Sequence, residues 1–131
     1  MDERPKTNEA PIKLLLIDDE LEFVNLLAKR LEKRAIATTK AYSGKEGIQL
    51  LRGQKFDAVV LDLKMEHMNG MEVLKIIRML APDLPVIMLT GHGAQDAAEA
   101  ILSAGARDYL TKPYDLTALV DKIKAAVASR G

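Results

Sequence analysis

The chain has no cysteine, no excess of either charge and no long hydrophobic segment. The missing cysteine excludes disulfide bonds, thiolate metal sites and thiol catalysis. Nineteen basic residues balance nineteen acidic ones, so no overall field attracts nucleic acid or an anionic membrane. Lysine and arginine form no run that would make a local basic patch, and we expect no direct nucleic-acid binding by this chain.

No segment has the length and apolarity of a signal peptide or a membrane span. We therefore expect a cytoplasmic protein that makes no membrane contact. The 131 residues, 48% of them hydrophobic and 29% charged, are typical of one globular domain with a single core. Residues 1–11 are polar and contain two prolines, which predicts a disordered leader before a domain over residues 12–131.

Five strand patterns alternate with five helix patterns along this domain. The predicted strands cover residues 12–17, 35–40, 56–62, 86–90 and 106–111. Apolar residues recur at helical spacing after each strand, and the fourth helix is predicted over residues 96–104. Ser43-Gly44-Lys45-Glu46 has the pattern of a capping box for the second helix, and Asp115 can cap the last one. This alternation with short links predicts an α/β fold, a doubly wound parallel sheet with helices on both faces.

Polar side chains stand at the carboxyl ends of four predicted strands. They are Asp18 and Asp19 after the first strand, Asp62 at the third, Thr90 at the fourth and Lys112 after the fifth. The carboxyl ends of parallel strands meet at one edge, where ligands of open α/β sheets bind. Three carboxylates at that edge would repel one another without a cation, and Mg²⁺ suits a site that also holds phosphoryl oxygens. An aspartate beside a metal, a hydroxyl and a lysine is equipped to receive a phosphoryl group.

From about Lys13 to Ser129, the motifs and their order resemble the receiver domains of two-component response regulators. The matching segments are Leu16-Ile17-Asp18-Asp19-Glu20, Val59-Val60-Leu61-Asp62-Leu63, Asn69-Gly70-Met71, Leu89-Thr90-Gly91-His92-Gly93, Gly105-Ala106-Arg107-Asp108-Tyr109 and Leu110-Thr111-Lys112-Pro113. The resemblance implies a single flavodoxin-like (βα)5 domain whose five-stranded parallel sheet has the order 2-1-3-4-5.

The resemblance also implies a metal site around a phosphoacceptor. Asp62 is the expected phosphoacceptor. Asp19 and Asp62 are the expected direct ligands of Mg²⁺, for which Mn²⁺ could substitute, and Asp18 is expected to act largely through water. The backbone carbonyl of Lys64 would complete the protein ligands.

Three further residues are assigned to phosphoryl binding and switching by the same resemblance. Thr90 and Lys112 would hold the phosphoryl oxygens. Tyr109 occupies the aromatic switch position, where the ring turns inward when Thr90 moves toward the phosphoryl group. The peptide bond between Lys112 and Pro113 is expected to be cis.

Two positions near the acceptor and one departure from the family pattern add further expectations. Lys64 and His92 lie two residues past Asp62 and Thr90, where they could tune the lifetime of the phosphoryl group. The family usually has proline directly after the loop methionine, but here Glu66 follows Met65. Glu66 adds a negative charge near the site and leaves the loop conformation open.

The resemblance predicts a signalling switch rather than an enzyme with an external substrate, apart from phosphotransfer to itself and autodephosphorylation. A sensor histidine kinase is the expected donor. The fourth helix, fifth strand and fifth helix would form the face that meets a downstream protein or an output domain. The chain could be a monomer or a phosphorylation-dependent dimer, and a stand-alone receiver or a fragment of a larger regulator.

Three alternative functions differ from this one in the residues that they need. A phosphatase of the haloacid-dehalogenase type would need a second aspartate two residues after the nucleophile, where Lys64 stands. A flavodoxin-like cofactor binder would need small hydroxyl and glycine residues in the first loop, where Asp18, Asp19 and Glu20 would repel a phosphate. A receiver used only for docking, without phosphorylation, stays open.

Overall fold

The computed structural model of the chain describes residues 11–91 and 97–130. Within these ranges, ten elements alternate in the order β1 (Ile12–Ile17), α1 (Leu21–Glu32), β2 (Ile36–Ala41), α2 (Gly44–Gly53), β3 (Ala58–Asp62), α3 (Gly70–Leu80), β4 (Val86–Thr90), α4 (Ala98–Ser103), β5 (Asp108–Thr111) and α5 (Leu116–Ala128). No helix in the described part of the chain is long and apolar enough to cross a membrane. The predicted leader lies outside the described residues, except for Pro11.

The five strands form one parallel sheet in the order β2-β1-β3-β4-β5, which confirms the predicted fold and strand order. Every residue of β3 and β4 is buried, as expected for strands whose patterns contain consecutive apolar residues. Because β1 pairs with both β2 and β3, the order of strands reverses beside β1. Strand β3, which ends at Asp62, therefore lies in the middle of the sheet, between β1 and β4.

Two apolar clusters cover the two faces of the sheet. Alternate residues of β1 contribute to each cluster, since successive side chains of a strand point to opposite faces. One cluster joins the sheet to α2, α3 and α4. The other joins it to α1 and α5. The core thus lies above and below the sheet and leaves the carboxyl ends of the strands free for polar side chains.

The helix ends explain small differences from the predicted boundaries. Gly105 has a φ of 107°, and the amide of Ala106 donates to the carbonyl of Ile101 at the end of α4. This glycine-terminated turn uses residues that the pattern assigned to the strand, so β5 begins at Asp108. Ala35 has a φ of 65° and ends the turn after α1. Strand β2 therefore begins at Ile36, one residue later than predicted.

Side-chain caps fix the starts of α2, α3 and α5. Ser43 accepts a hydrogen bond from the amide of Glu46 at 3.1 Å, and the Glu46 carboxylate accepts one from the amide of Tyr42 at 2.8 Å. Asp115 accepts from the amide of Ala118 at 3.1 Å. The predicted caps at Ser43 and Asp115 are therefore present. Asn69 caps α3 in the same way.

Candidate functional site

Three carboxylates converge where β1 and β3 end. Asp18 is fully buried, Asp62 is 6% exposed and Asp19 is half-buried. One carboxylate oxygen from each of them lies within 4.8 Å of the others. The register of the sheet explains this proximity, because Ile17 pairs with Leu61 and the next residues of both strands are aspartates.

Lys112 brings the positive charge to this cluster from the far side of β4. Its Nζ lies 3.2 Å from Oδ1 of Asp62, 3.6 Å from Oδ2 of Asp18 and 3.9 Å from Oε1 of Glu20. The amide of Lys112 donates to the carbonyl of Thr90 at 2.7 Å, which holds the start of the lysine against the end of β4. The Lys112–Pro113 peptide bond is cis, as the family resemblance implied.

The pKa values of the site reflect burial and crowded charge. Burial and then the neighbouring Asp18 carboxylate raise the pKa of Asp62 to about 6, although Lys112 acts to lower it. Burial also raises the pKa of Asp18. Burial alone would lower the pKa of Lys112, but Asp62 and Asp18 outweigh it and raise that pKa above its ordinary value. Lys112 is therefore protonated, while ionisation of Asp18 and Asp62 is costly.

The donor set fits a hard divalent cation. Oδ2 of Asp18 is buried and has no hydrogen-bond partner among the described residues, which is an expensive state for a carboxylate oxygen. One lysine cannot balance three ionised aspartates, whereas Mg²⁺ binds through a few carboxylates and keeps several waters. The cleft beside the cluster, about 540 Å³ in volume, can hold such waters and a phosphoryl group. Lys64 lines this cleft, and its side chain is exposed.

Thr90 and Tyr109 lie on the α4 side of the site. Thr90 is 1% exposed, and its hydroxyl donates to the carbonyl of Leu110 at 3.3 Å and lies 3.4 Å from Oγ1 of Thr111. The hydroxyl thus bonds to β5. Tyr109 is half-buried and packs against the cluster formed by α2, α3 and α4. His92 lies outside the described residues, so its predicted role stays a prediction.

Two contacts at the site were not indicated by the sequence patterns. The ring of Phe23 on α1 lies with its centroid 4.7 Å from Nζ of Lys112 and meets the ring of Tyr114 edge-on at 6.2 Å. Phe23 lies in the first turn of α1, and no local spacing relates it to Lys112, which follows β5. The amide of Glu66 donates to Oδ2 of Asp19 at 3.0 Å. Because this donor is a main-chain amide, the residue type at position 66 does not indicate the contact.

Comparisons with known proteins agree with this geometry. A family model described as the response regulator receiver domain matches residues 14–124. Transcriptional regulatory protein GlrR of Escherichia coli (strain K12) is 39% identical over 117 residues, which are 89% of this chain and 26% of that protein. Photosynthetic apparatus regulatory protein RegA of Cereibacter sphaeroides is 40% identical over 102 residues, which are 78% of this chain and 55% of that protein. The chain therefore spans about a quarter to about half of the length of these relatives.

Solved structures share the fold along nearly the whole chain. A response regulator receiver domain protein from Clostridium thermocellum has a TM-score of 0.85 and 34% identity, covering 89% of this chain and 94% of its own. A CheY-like receiver domain protein from Methanospirillum hungatei JF-1 has a TM-score of 0.86 and 27% identity, covering 92% of this chain and 96% of its own. With the matched family model, these similarities establish that the chain belongs to the response regulator receiver domains of two-component signalling.

Proposed function

We propose that this receiver domain is switched by phosphorylation of Asp62, with a sensor histidine kinase as the phosphoryl donor. The observation that carries the proposal is the 3.2 Å contact between Asp62 and Lys112 inside a cluster of three carboxylates. A phosphoacceptor needs an ionised carboxylate, a cation for the incoming oxygens and space for the donor. The lysine and the adjoining cleft meet the last two needs.

The transfer step follows from this arrangement. An oxygen of the Asp62 carboxylate forms a bond to phosphorus while the bond between phosphorus and the donor atom breaks, and the donor leaves with that electron pair. The Lys112 ammonium neutralises charge on the phosphoryl oxygens as they pass between donor and acceptor. Its contact with Asp62 also favours the ionised carboxylate, which is the nucleophilic form.

The metal requirement is assigned to the same cluster. Asp19 and Asp62 would bind Mg²⁺ directly, Asp18 would act through water, and the backbone carbonyl of Lys64 would complete the protein ligands. Oδ2 of Asp18 accepts no hydrogen bond from the described residues, which supports this assignment, since a hydrated cation would satisfy it. When bound, Mg²⁺ would supply charge neutralisation at the phosphoryl oxygens, and Mn²⁺ could replace it because it also accepts oxygen ligands.

The switch is proposed to run through Thr90. Its hydroxyl now bonds to β5, and a phosphoryl group at Asp62 adds about −1.5 to −2 charges and new acceptor oxygens nearby. If the hydroxyl turns to donate to those oxygens, its bonds to β5 are lost. Tyr109, two residues before Thr111, can then repack and change the face formed by α4, β5 and α5.

That face is the proposed docking surface for a downstream protein or output domain. The two relatives named above are a transcriptional regulatory protein and a photosynthetic apparatus regulatory protein, and both are longer than the matched region. A separate output unit, in the same chain or in a partner, is consistent with that difference. Phosphorylation could act by contact with the output or by pairing two receivers through this face.

The direct test is incubation with a small acyl-phosphate donor and Mg²⁺, followed by intact-protein mass spectrometry. We expect one added phosphoryl group on the wild-type chain and on Asp83→Asn, a control at an exposed aspartate in the turn before β4. We expect none on Asp62→Asn or when Mg²⁺ is chelated. A phosphoryl group retained by Asp62→Asn would overturn the assignment.

A further inference from the structure

The loop between β3 and α3, residues 63–69, is fixed firmly at its two ends. The amide of Leu63 donates to the carbonyl of Leu89 at 2.9 Å, and the amide of Gly70 donates to the carbonyl of Leu63 at 2.7 Å. A Cβ atom at Gly70 would lie 2.4 Å from the carbonyl oxygen of Asp62. Only glycine allows this close approach, so the end of the loop is held against the acceptor residue.

The middle of the loop depends on one polar contact. Among the described residues, the hydrogen bond from the amide of Glu66 to Oδ2 of Asp19, at 3.0 Å, is the one that joins residues 64–68 to another part of the chain. The side chains of Glu66 and His67 are 82% and 93% exposed and lie 3.7 Å from each other. Their pairing stays within the loop and cannot fix it to the domain.

The loop lies over open space on its inner side. A cavity of about 420 Å³ separates it from α1 and from the loop before α2, and its lining includes Leu21, Tyr42, Met65 and Met68. Met65 and Met68 also pack against the cluster formed by α2, α3 and α4, but their flexible side chains adapt to the available space and make non-directional contacts. The directional contact at this point is therefore the main-chain amide of Glu66.

We propose that the amide of Glu66 is a positioning group that holds the Asp19 carboxylate in the orientation that binds Mg²⁺. The inference rests on the proposed function, because it requires Asp19 as a ligand. A carboxylate that binds a metal is commonly oriented by a hydrogen bond to its other lone pairs, and loss of that bond weakens metal affinity. A bond from an amide to an ionised carboxylate is stronger than a neutral one.

The residue type at position 66 matters for one physical reason. Proline at this position would carry no amide hydrogen and could not donate to Asp19. Every other residue type permits the contact, so the carboxylate of Glu66 is not needed for it. Because linkage is reciprocal, the same contact makes metal occupancy and the position of the loop depend on each other.

The test compares Glu66→Pro, which removes the donor, with Glu66→Ala, which keeps it. Mg²⁺ is titrated into each 131-residue chain and followed by NMR chemical shifts. We expect Glu66→Pro to bind Mg²⁺ about tenfold more weakly than wild type and Glu66→Ala to stay within about twofold. Equal affinity of Glu66→Pro and wild type, or an equal loss in both variants, would overturn the inference. A wild-type chain that binds no Mg²⁺ would instead overturn the proposed function.

Proline also restricts the backbone of Met65, so two further measurements isolate the hydrogen bond. Replacing the peptide bond before residue 66 by an ester removes the hydrogen with little other change, and we expect the same tenfold loss. In the metal-free chain, exchange of the Glu66 amide hydrogen should be slowed by the bond and should become about tenfold faster in Asp19→Ala. An amide that exchanges equally fast in both chains would refute the contact independently of any metal.

Discussion

Removing the charge of Asp62 should stabilise the metal-free protein. The pKa of Asp62 rises from 3.8 to about 6 in the folded chain, a difference of about 2 pK units. Each unit corresponds to about 1.4 kcal/mol, so ionised Asp62 lowers the free energy of unfolding by about 3 kcal/mol above pH 6. Asp62→Asn removes this penalty, in which the attraction of Lys112 is already included. We therefore expect a gain of about 2–3 kcal/mol at pH 8.

The sign of the pH dependence follows from proton binding. The folded chain holds the Asp62 proton more tightly than the unfolded chain, so wild-type stability falls as the pH rises from about 4 to about 6. The asparagine variant lacks that proton and should lack this part of the fall. The two proteins should therefore be similar in stability near pH 4 and should differ most at pH 7–8.

Urea unfolding with a metal chelator, followed by far-ultraviolet circular dichroism, measures this effect, because the chain has no tryptophan for fluorescence. Adding Mg²⁺ should reverse the order, since the cation binds the wild-type cluster and stabilises the folded state by mass action. A metal-free Asp62→Asn protein that is less stable than wild type at pH 8 would refute the reasoning. The reasoning would also be refuted if the difference in stability between wild type and Asp62→Asn were the same at pH 4 and at pH 8.

Three further predictions concern residues around the site and the fold. The Arg78 guanidinium donates four hydrogen bonds, to the carbonyls of Ala81, Pro82 and Leu84 before β4 and of Gly105 before β5. Arg78→Ala should therefore lower the free energy of unfolding by about 2–3 kcal/mol. Met79→Ala, at an exposed neighbouring position, is the control and should lower the free energy of unfolding by less than about 0.5 kcal/mol. If both variants lose the same stability, the hydrogen bonds of the Arg78 guanidinium do not stabilise the fold. Phe23→Leu should slow phosphorylation by an acyl-phosphate donor about two- to fivefold, because the aromatic ring face contributes about 0.5–1 kcal/mol to its interaction with the Lys112 ammonium. Phe23→Tyr keeps the ring and should not change the rate. Unchanged rates in both variants would exclude this contribution. Lys64→Ala and His92→Ala should each change the dephosphorylation rate by more than about twofold, as measured from the decay of phosphorylated protein. Smaller changes would contradict the prediction that these two residues tune the lifetime of the phosphoryl group.

The positions of the strands and the placement of the acidic residues were predictable because they follow from short-range patterns. Consecutive apolar residues mark buried parallel strands, and a carboxylate directly after such a strand must lie at its carboxyl end. The structure brings Asp18, Asp19, Asp62 and Lys112 together as these patterns require. The family resemblance added the order of the strands, which alternation alone does not specify.

Other features depend on the path of the backbone and could not be predicted in this way. The amide of Glu66 donates to Asp19 because of how the loop turns, and an amide is present at every residue except proline. The carbonyls that Arg78 binds lie in separate turns, one of them 27 residues away. The direction of the Thr90 hydroxyl depends on side-chain rotation against β5. None of these three contacts changes the pattern of hydrophobic residues, so that pattern could not predict them.

The position of the site along one edge of the sheet has a consequence for how such a protein can diverge. The path from Asp62 to β5 crosses a single strand, β4. Under the proposed function, substitutions on the outer surface of α4 or α5 are expected to alter partner recognition while the buried core and the edge that carries Asp62 stay unchanged.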